Sequence, residues 1–387
     1  MSPALLTSDV HLSPTGGQSA SRALARLIAE HPGKSVLLVG DIFDLSLTPL
    51  NDRPAETLGR ILAAHPEWVM ASRAHLDSGG RLCFVPGNHD AELCEAATAT
   101  VLHRALAPPD DRQLAVAPWF YRHGPVHIEH GHVYDPDCAP NHPLSPANAH
   151  SEGLGTALVR RFLAPSDSLE FAHAHELTPR SGFALAAKKW GASAPVHMLE
   201  YFRTAAGLCL ESLAVKRTVL AAWNAGAAAL PEHAERTGLP IAVVEALVAG
   251  VPRPTHHAFK DTFLRLYFDR IAAGGAATVG TALLALGALA PSLLGPSVLL
   301  LALGGAYLTA SSRRAQLHRD GPVEALALAA ERIRALTDCS LVVFGHSHVP
   351  SEQPGYVNLG SFGFAEAARP YLLLDEAGRS ETRRLPA

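Results

Sequence analysis

Thr7-Ser8-Asp9-Val10-His11, following the apolar residues 4–6, is the stretch on which the reading of this chain turns. A short apolar run stops abruptly at a carboxylate and an imidazole two residues apart. The same pattern recurs along the chain. Ser35–Val39 runs into Gly40-Asp41-Ile42-Phe43-Asp44, and residues 82–85 run into Pro86-Gly87-Asn88-His89-Asp90. Val126–Glu129 runs into His130-Gly131-His132, and Leu341–Phe344 into Gly345-His346-Ser347-His348. Residues 356–359 and 371–374 read as further strands. Between the first strands lie helical spacings, Leu24-Leu27-Ile28 and Leu58-Ile61-Leu62. Alternating strands and helices predict an α/β fold. In open α/β sheets, sites form just beyond the carboxyl ends of the strands. Five polar strand ends can therefore meet, although they are far apart in sequence.

Seven side chains stand out as ligands: Asp9, His11, Asp41, Asn88, His130, His346 and His348. The set mixes carboxylate, amide oxygen and imidazole and has no thiolate. That chemistry suits Mn(II), Fe or Zn(II) rather than Cu(I) or an iron–sulfur cluster. Seven ligands exceed one tetrahedral site. They fit two cations about 3.5–4 Å apart with one carboxylate between them. Residues two apart in a strand point to the same side, so near-extended turns would aim Asp9 with His11, and His346 with His348, at one cluster. The adjoining Gly40, Gly87, Gly131 and Gly345 allow close backbone approach. His132 competes with His130 as a ligand. His173, His175, His256 and His257 carry no motif and read as surface or core residues.

The motifs SDVHL, GDIFD, GNHD, EHGH and FGHSH, in this order, resemble the calcineurin-like metallophosphoesterase superfamily over roughly residues 1–135 and 338–375. The resemblance implies a four-layer sandwich, two mixed sheets packed face to face between helices. It implies that Asp9, His11 and His348 hold one metal, that Asn88, His130 and His346 hold the other, and that Asp41 bridges. His130 is favoured over His132 on the same ground. His89 would face the substrate and protonate the leaving oxygen, Asp90 would orient His89, and Asp44 would support the ligands from behind. The implied reaction is attack of a metal-bridged hydroxide on a phosphate ester or pyrophosphate, with two divalent ions as cofactors, Mn(II) first among them. A more distant resemblance is to the UDP-2,3-diacylglucosamine hydrolases, which also carry a helical insertion. This chain departs from their pattern at His89, where they have Arg, and at His132, where they have an acid.

At 387 residues the chain has room for a large core, and its formal net charge is -4. No basic run provides a footprint for nucleic acid. Five scattered cysteines with no C-x-x-C pair argue against a disulfide scaffold or a zinc ribbon. Residues 1–10 lack the basic start and apolar run of a signal peptide. The domain reading is 1–135 and 336–387 for the phosphoesterase, interrupted by a helical insertion over 136–335 that includes the Ala-rich stretches 183–190 and 208–228.

Within the insertion, residues 271–312 contain no Asp, Glu, Lys, Arg or His. A spanning helix needs about 20 apolar residues. Residues 271–290 and 291–310 then form a transmembrane hairpin, broken near Pro291 and Pro296, each arm about 30 Å long. Lys260, Arg265 and Arg270 precede it, and Arg313, Arg314 and Arg319 follow it. The positive-inside rule puts both flanks, and the catalytic domain, on the cytoplasmic side of the inner membrane. Ala276 and Gly280 would let the arms approach closely. Helices over 154–268 would form a lid, with 196–199, Tyr201 and Phe202 meeting an acyl or isoprenoid chain. The expected substrate is thus a phosphorylated or pyrophosphorylated, lipid-linked amphiphile. The competing reading is a soluble phosphodiesterase or protein phosphatase whose hairpin is buried in a cap or a subunit interface. A binding protein that kept the fold and lost its chemistry would lack ligands, and all seven are present.

Overall fold

A computed structural model describes residues 2–49, 52–145, 152–169, 179–287, 290–317, 321–365 and 367–386. The readings at His173, His175 and Arg319 fall outside these residues, as do the side chains of Arg313 and Arg314. The strands are β1 (Ala4–Thr7), β2 (Ser35–Val39), β3 (Arg81–Val85), β4 (Leu114–Val116), β5 (Phe120–His123), β6 (Val126–Glu129), β7 (Leu341–Phe344), β8 (Ser351–Gln353), β9 (Tyr356–Asn358), β10 (Ala368–Leu374) and β11 (Ser380–Pro386). The helices are α1 (Gln18–Ala29), α2 (Pro54–Ala64), α3 (Pro66–Asp77), α4 (Ala96–Leu106), α5 (Leu154–Leu158), α6 (Pro179–Trp190), α7 (Ala194–Ala214), α8 (Lys216–Thr237), α9 (Ile241–Val248), α10 (Phe259–Arg265), α11 (Phe268–Leu286), α12 (Leu294–Leu317) and α13 (Gly321–Thr337).

The strands form two mixed sheets, ordered β11-β10-β1-β2-β3-β4 and β5-β6-β7-β9-β8. In the first, β1 through β4 run parallel and β10 returns antiparallel beside β1. In the second, β6, β7 and β9 are parallel. The wholly apolar runs are explained by this placement: a central parallel strand is covered on both faces. Alternation along the pleat divides each run. Leu5, Val36, Leu38, Leu82 and Phe84 face a core with Leu24, Leu27 and Ile28 of α1 and Leu58, Ile61 and Leu62 of α2. Leu6, Leu37, Val39 and Val85 face the second sheet, where Val126, Ile128, Val343 and Val357 meet them. The far face of that sheet, through Phe120, Val342 and Phe344, packs on Leu230 of α8, Val244 and Leu247 of α9, and Leu326 and Ile333 of α13. The expected four-layer sandwich is what the chain forms.

Two compact units result. The first comprises 1–165, 216–254 and 322–387 and holds both sheets; the second comprises 166–215 and 255–321 and is helical. The stretch read as an insertion, 136–335, is thus distributed over both. In the second unit α11 and α12 pack as a pair. A Cβ on Gly280 would lie 2.9 Å from the Ser297 carbonyl oxygen, and one on Gly304 would lie 2.6 Å from that of Ala273. Gly280 allows the close approach expected of it, and Gly304 does the same on the facing helix. Val279 and Leu286 of α11, with Val298, Leu299 and Leu303 of α12, are exposed. Two spanning arms were expected. Among the described residues, one stretch, Pro291–Ser311, is long and apolar enough to cross a bilayer. The helix α11 carries Asp269 and Arg270 in its first turn and alternates leucine with Ala, Gly and Thr.

The core reaches directly to the polar loops. Trp68, fully buried in α3, meets the Phe43 ring edge-on at 5.6 Å, and Phe43 in turn stacks on Phe84. Trp68→Ala should cost about 3–5 kcal/mol of stability. Urea unfolding of wild type and variant would measure it, and an unchanged midpoint would contradict this account of the core.

Candidate metal centre

The five polar strand ends are joined by backbone hydrogen bonds. Parallel β1 and β2 continue side by side beyond their last pairs: Asp9 N–H donates to the Gly40 carbonyl at 3.0 Å, and His11 N–H to that of Asp41 at 2.9 Å. Gly345 N–H donates to the His130 carbonyl at 3.0 Å, and Gly363 N–H to that of Asp9 at 2.8 Å. The loop after β3 is held by a side chain. The Asp90 carboxylate accepts from the amides of Ile42 and Gly87, each at 2.7 Å, and of Asp41 and Phe43, each at 3.2 Å.

The loops are not near-extended, contrary to expectation. Asp9, His11, Asp41, His346 and His348 have φ of 53°, 55°, 54°, 65° and 57°. Left-handed backbone turns each side chain inward where strand alternation would not. Asp and His tolerate this region better than most residues, but it still stores strain. Gly40 also lies there, at φ 78°, and a Cβ on it would fall 2.2 Å from His130 Nδ1. A Cβ on Gly87 would fall 2.2 Å from Asp41 Oδ1. Only glycine leaves room for ligands packed this closely.

Two groups of side chains converge: Asp9, His11 and His348, and Asp41, His130 and His346, the ligand atoms of each lying within 4.8 Å of one another. His348 Nε2 is 3.0 Å from Asp9 Oδ1, His11 Nε2 is 3.3 Å from His348 Nε2, and His130 Nε2 is 3.1 Å from Asp41 Oδ2. Ligands about 2.1 Å from one cation sit roughly 3.0–3.4 Å apart at octahedral to tetrahedral angles. Asp9 Oδ1, Asn88 Oδ1 and His130 Nε2 are buried without a hydrogen-bond partner. Asp9 Oδ1 and His130 Nε2 approach a partner this closely without hydrogen-bond geometry, as ligands facing one ion do. The residues therefore fit a pair of divalent cations. Asn88 is anchored by its amide nitrogen, which donates to Thr156 Oγ1 at 3.3 Å and leaves the oxygen free.

The electrostatics agree. Burial pushes His11 down, but the Asp44 carboxylate outweighs it and the group sits at about 9. Burial likewise opposes His130, yet Asp41 and then Asp9 raise it to about 10. Burial lifts Asp41, and His130 and His89 overcome it and hold the carboxyl well below the usual range. Protons on imidazoles are balancing buried carboxylates, and a cation that binds here displaces them.

The remaining predicted residues separate by role. His89 Nδ1 lies 2.8 Å from Ser46 Oγ and 3.2 Å from Asp44 Oδ1. Asp44 Oδ1 also lies 2.8 Å from His11 Nδ1. Asp90 was expected to orient His89, but it is spent on backbone amides; Asp44 and Ser46 hold that ring. His132 is buried with its ring 5.5 Å from that of His130. Sequence reasoning missed Asp135, whose Oδ2 is 3.0 Å from His346 Nε2, and Cys138, which with Asp135 and His346 forms a further cluster. Asp135 follows a single 3-10 turn, His132–Tyr134, and no strand-end pattern marks it.

Comparison with known proteins bears on the same loops. The family model described as calcineurin-like phosphoesterase matches residues 2–189. It thus covers four of the five motifs and stops before FGHSH. No curated protein matches the chain.

Because His11 and His130 hold protons up to about 9 and 10, binding of Mn(II) must release them, and affinity should rise with pH between about 6 and 9. Calorimetric titration in buffers of different ionisation enthalpy would count the protons released. An affinity independent of pH would refute the assignment of these imidazoles.

Proposed function

Given that residues 2–189 of the chain are a calcineurin-like phosphoesterase, a metal-dependent phosphohydrolase, we propose that it cleaves a phosphate ester or pyrophosphate bond of a lipid-linked substrate at the cytoplasmic face of a membrane. Asp9, His11 and His348 would hold one cation and Asn88, His130 and His346 the other, with Asp41 serving both. The observation that carries this assignment is the pair of three-residue clusters with ligand-like spacing. Two divalent ions bound there, Mn(II) first and Fe or Zn(II) next, would supply the acidity that deprotonates a water and the positive charge that faces the phosphoryl oxygens.

The chain's own residues do the rest. His89 is fixed through Nδ1 by Ser46 and Asp44, which leaves Nε2 for the substrate. Burial lowers the affinity of this ring for a proton, but Asp41 and Asp44 raise it more. The protonated ring serves as the acid. The water loses its proton to solvent before attack; as its oxygen bonds to phosphorus, the ester P–O bond breaks, its electron pair stays on the leaving oxygen, and His89 Nε2 gives that oxygen a proton. Asp90, gripping four amides, keeps the loops after β2 and β3 at a fixed separation.

The membrane part of the proposal rests on the apolar pair α11 and α12, whose leucines and valines face outward. At the base of α11, aromatic and cationic groups gather as they do at a bilayer surface. Phe263 stacks on Phe268, and the Arg270 guanidinium sits 4.5 Å over the Tyr267 ring. The catalytic unit faces the cytoplasm because the cationic flanks do.

Asn88→Ala should reduce Mn(II)-dependent phosphatase turnover at least a hundredfold while the thermal unfolding midpoint stays within a few degrees. Turnover near wild type would remove Asn88 from the centre. For the membrane, fractions washed with high salt and then alkali should retain the protein in the pellet. Release into the supernatant would instead favour a soluble phosphodiesterase or protein phosphatase, its apolar pair covered by a second subunit.

A further inference from the structure

A cavity of about 280 Å³ opens against the metal centre inside the first unit, sharing Asn88 and the adjoining Gly87 with it. Small-ligand sites range over about 300–1,000 Å³. This one admits a single ring-sized group and is too small for a pair of acyl chains.

Its charges exclude anions. Glu92, Glu95, Glu152 and Glu232 line it, against Arg160 and Arg236. Both guanidiniums are already engaged by these acids. Arg160 donates to Glu92 at 2.7 Å and to Glu152 at 3.0 Å, and Arg236 pairs with Glu232. No free cation among the described lining residues awaits a second phosphate.

Two buried polar groups on the cavity wall lack partners. His233 of α8 is 3% exposed, and neither ring nitrogen has a hydrogen bond. Glu152 Oε1 has none either. Leaving such groups dry is costly, so a ligand that satisfies them gains affinity. The His233 ring is fixed by Trp119, stacked at 5.7 Å, and by Phe120, edge-on at 4.5 Å. Burial pushes it down to about 4, so near neutral pH it offers one donor and one acceptor. A hydroxyl both donates and accepts. Among the described lining residues there is no Phe, Trp or Tyr, so a quaternary ammonium finds no aromatic cage. Pro86, Pro118, Pro140 and Pro143 offer apolar contact to the C–H face of a ring.

We propose that this cavity receives the leaving group of the ester, that the group is a neutral polyol such as a sugar, inositol or glycerol moiety, and that His233 and Glu152 read its hydroxyls. The inference rests on the phosphoesterase reading above and narrows it. The test compares kcat/KM of the Mn(II)-loaded full chain on inositol 1-phosphate, phosphocholine, ADP and p-nitrophenyl phosphate. Inositol 1-phosphate should exceed phosphocholine and ADP at least tenfold. In His233→Phe, which keeps the ring stack, the ratio of inositol 1-phosphate to p-nitrophenyl phosphate should fall about tenfold, the worth of one hydrogen bond to a substrate hydroxyl. Glu152→Gln should lower the same ratio, and free inositol should inhibit wild type more strongly than either variant. Preference for phosphocholine or ADP, or an equal loss on every ester in both variants, would overturn the polyol assignment while leaving the phosphoesterase intact. No turnover of any ester, p-nitrophenyl phosphate included, would overturn both.

Discussion

Two carboxylates, Asp9 and Asp41, are buried beside one another because β1 and β2 run parallel and end together. Burial makes both harder to ionise, and Asp41 adds to that cost at Asp9, yet the neighbouring imidazoles, His130 foremost, hold both carboxyls below the usual range. Everything around them answers that charge. His130 and His348 lie within 3.1 Å of a carboxylate oxygen, and the Ser8 hydroxyl donates to Asp9. A bare pair of buried anions would be intolerable; a pair facing imidazoles and an amide oxygen is a receptacle for positive charge. The need for room explains Gly40 and Gly87, and the need for aim explains the left-handed residues. The apolar cores on either face of the first sheet then fix the position of the strands that carry them.

Much of this was legible in the sequence, for a physical reason. A central parallel strand is buried on both sides, so β1, β2, β3 and β7 are written as nearly unbroken apolar runs. Their polar ends contrast sharply with them. The strands missed, β4, β5, β8 and β11, are short or lie at sheet edges. Most of β11 is exposed, and its Glu381, Arg383 and Arg384 carry the signature of a surface. Such charges also discourage another chain from pairing with that edge.

The local backbone was not legible. Asp and His enter the left-handed region readily enough that nothing in SDVHL or FGHSH announces it. Nor did spacing reveal that Asp90, next to His89 in sequence, would hold amides while Asp44 and Ser46, more than 40 residues earlier, hold the His89 ring. Asp135 reaches His346 across a large gap in sequence, and only folding brings them together. The Ala-rich stretch over 136–335 looked uniform because helices of the outer layer and helices of the second unit have similar composition. What separates α8, α9 and α13 is the apolar stripe that they lay on the second sheet.

The interior place of β7 has a consequence for how the chain is made. It sits between β6 and β9, so the second sheet lacks its middle until residues 341–344 exist. About 200 residues separate His130 from His346. At ribosomal speeds of roughly 5–20 residues per second, a nascent chain waits on the order of ten to forty seconds with its first four strand ends made and the last not yet synthesised. For that interval the acids and imidazoles already emerged are an incomplete chelate, open to the wrong ion and to chaperones alike.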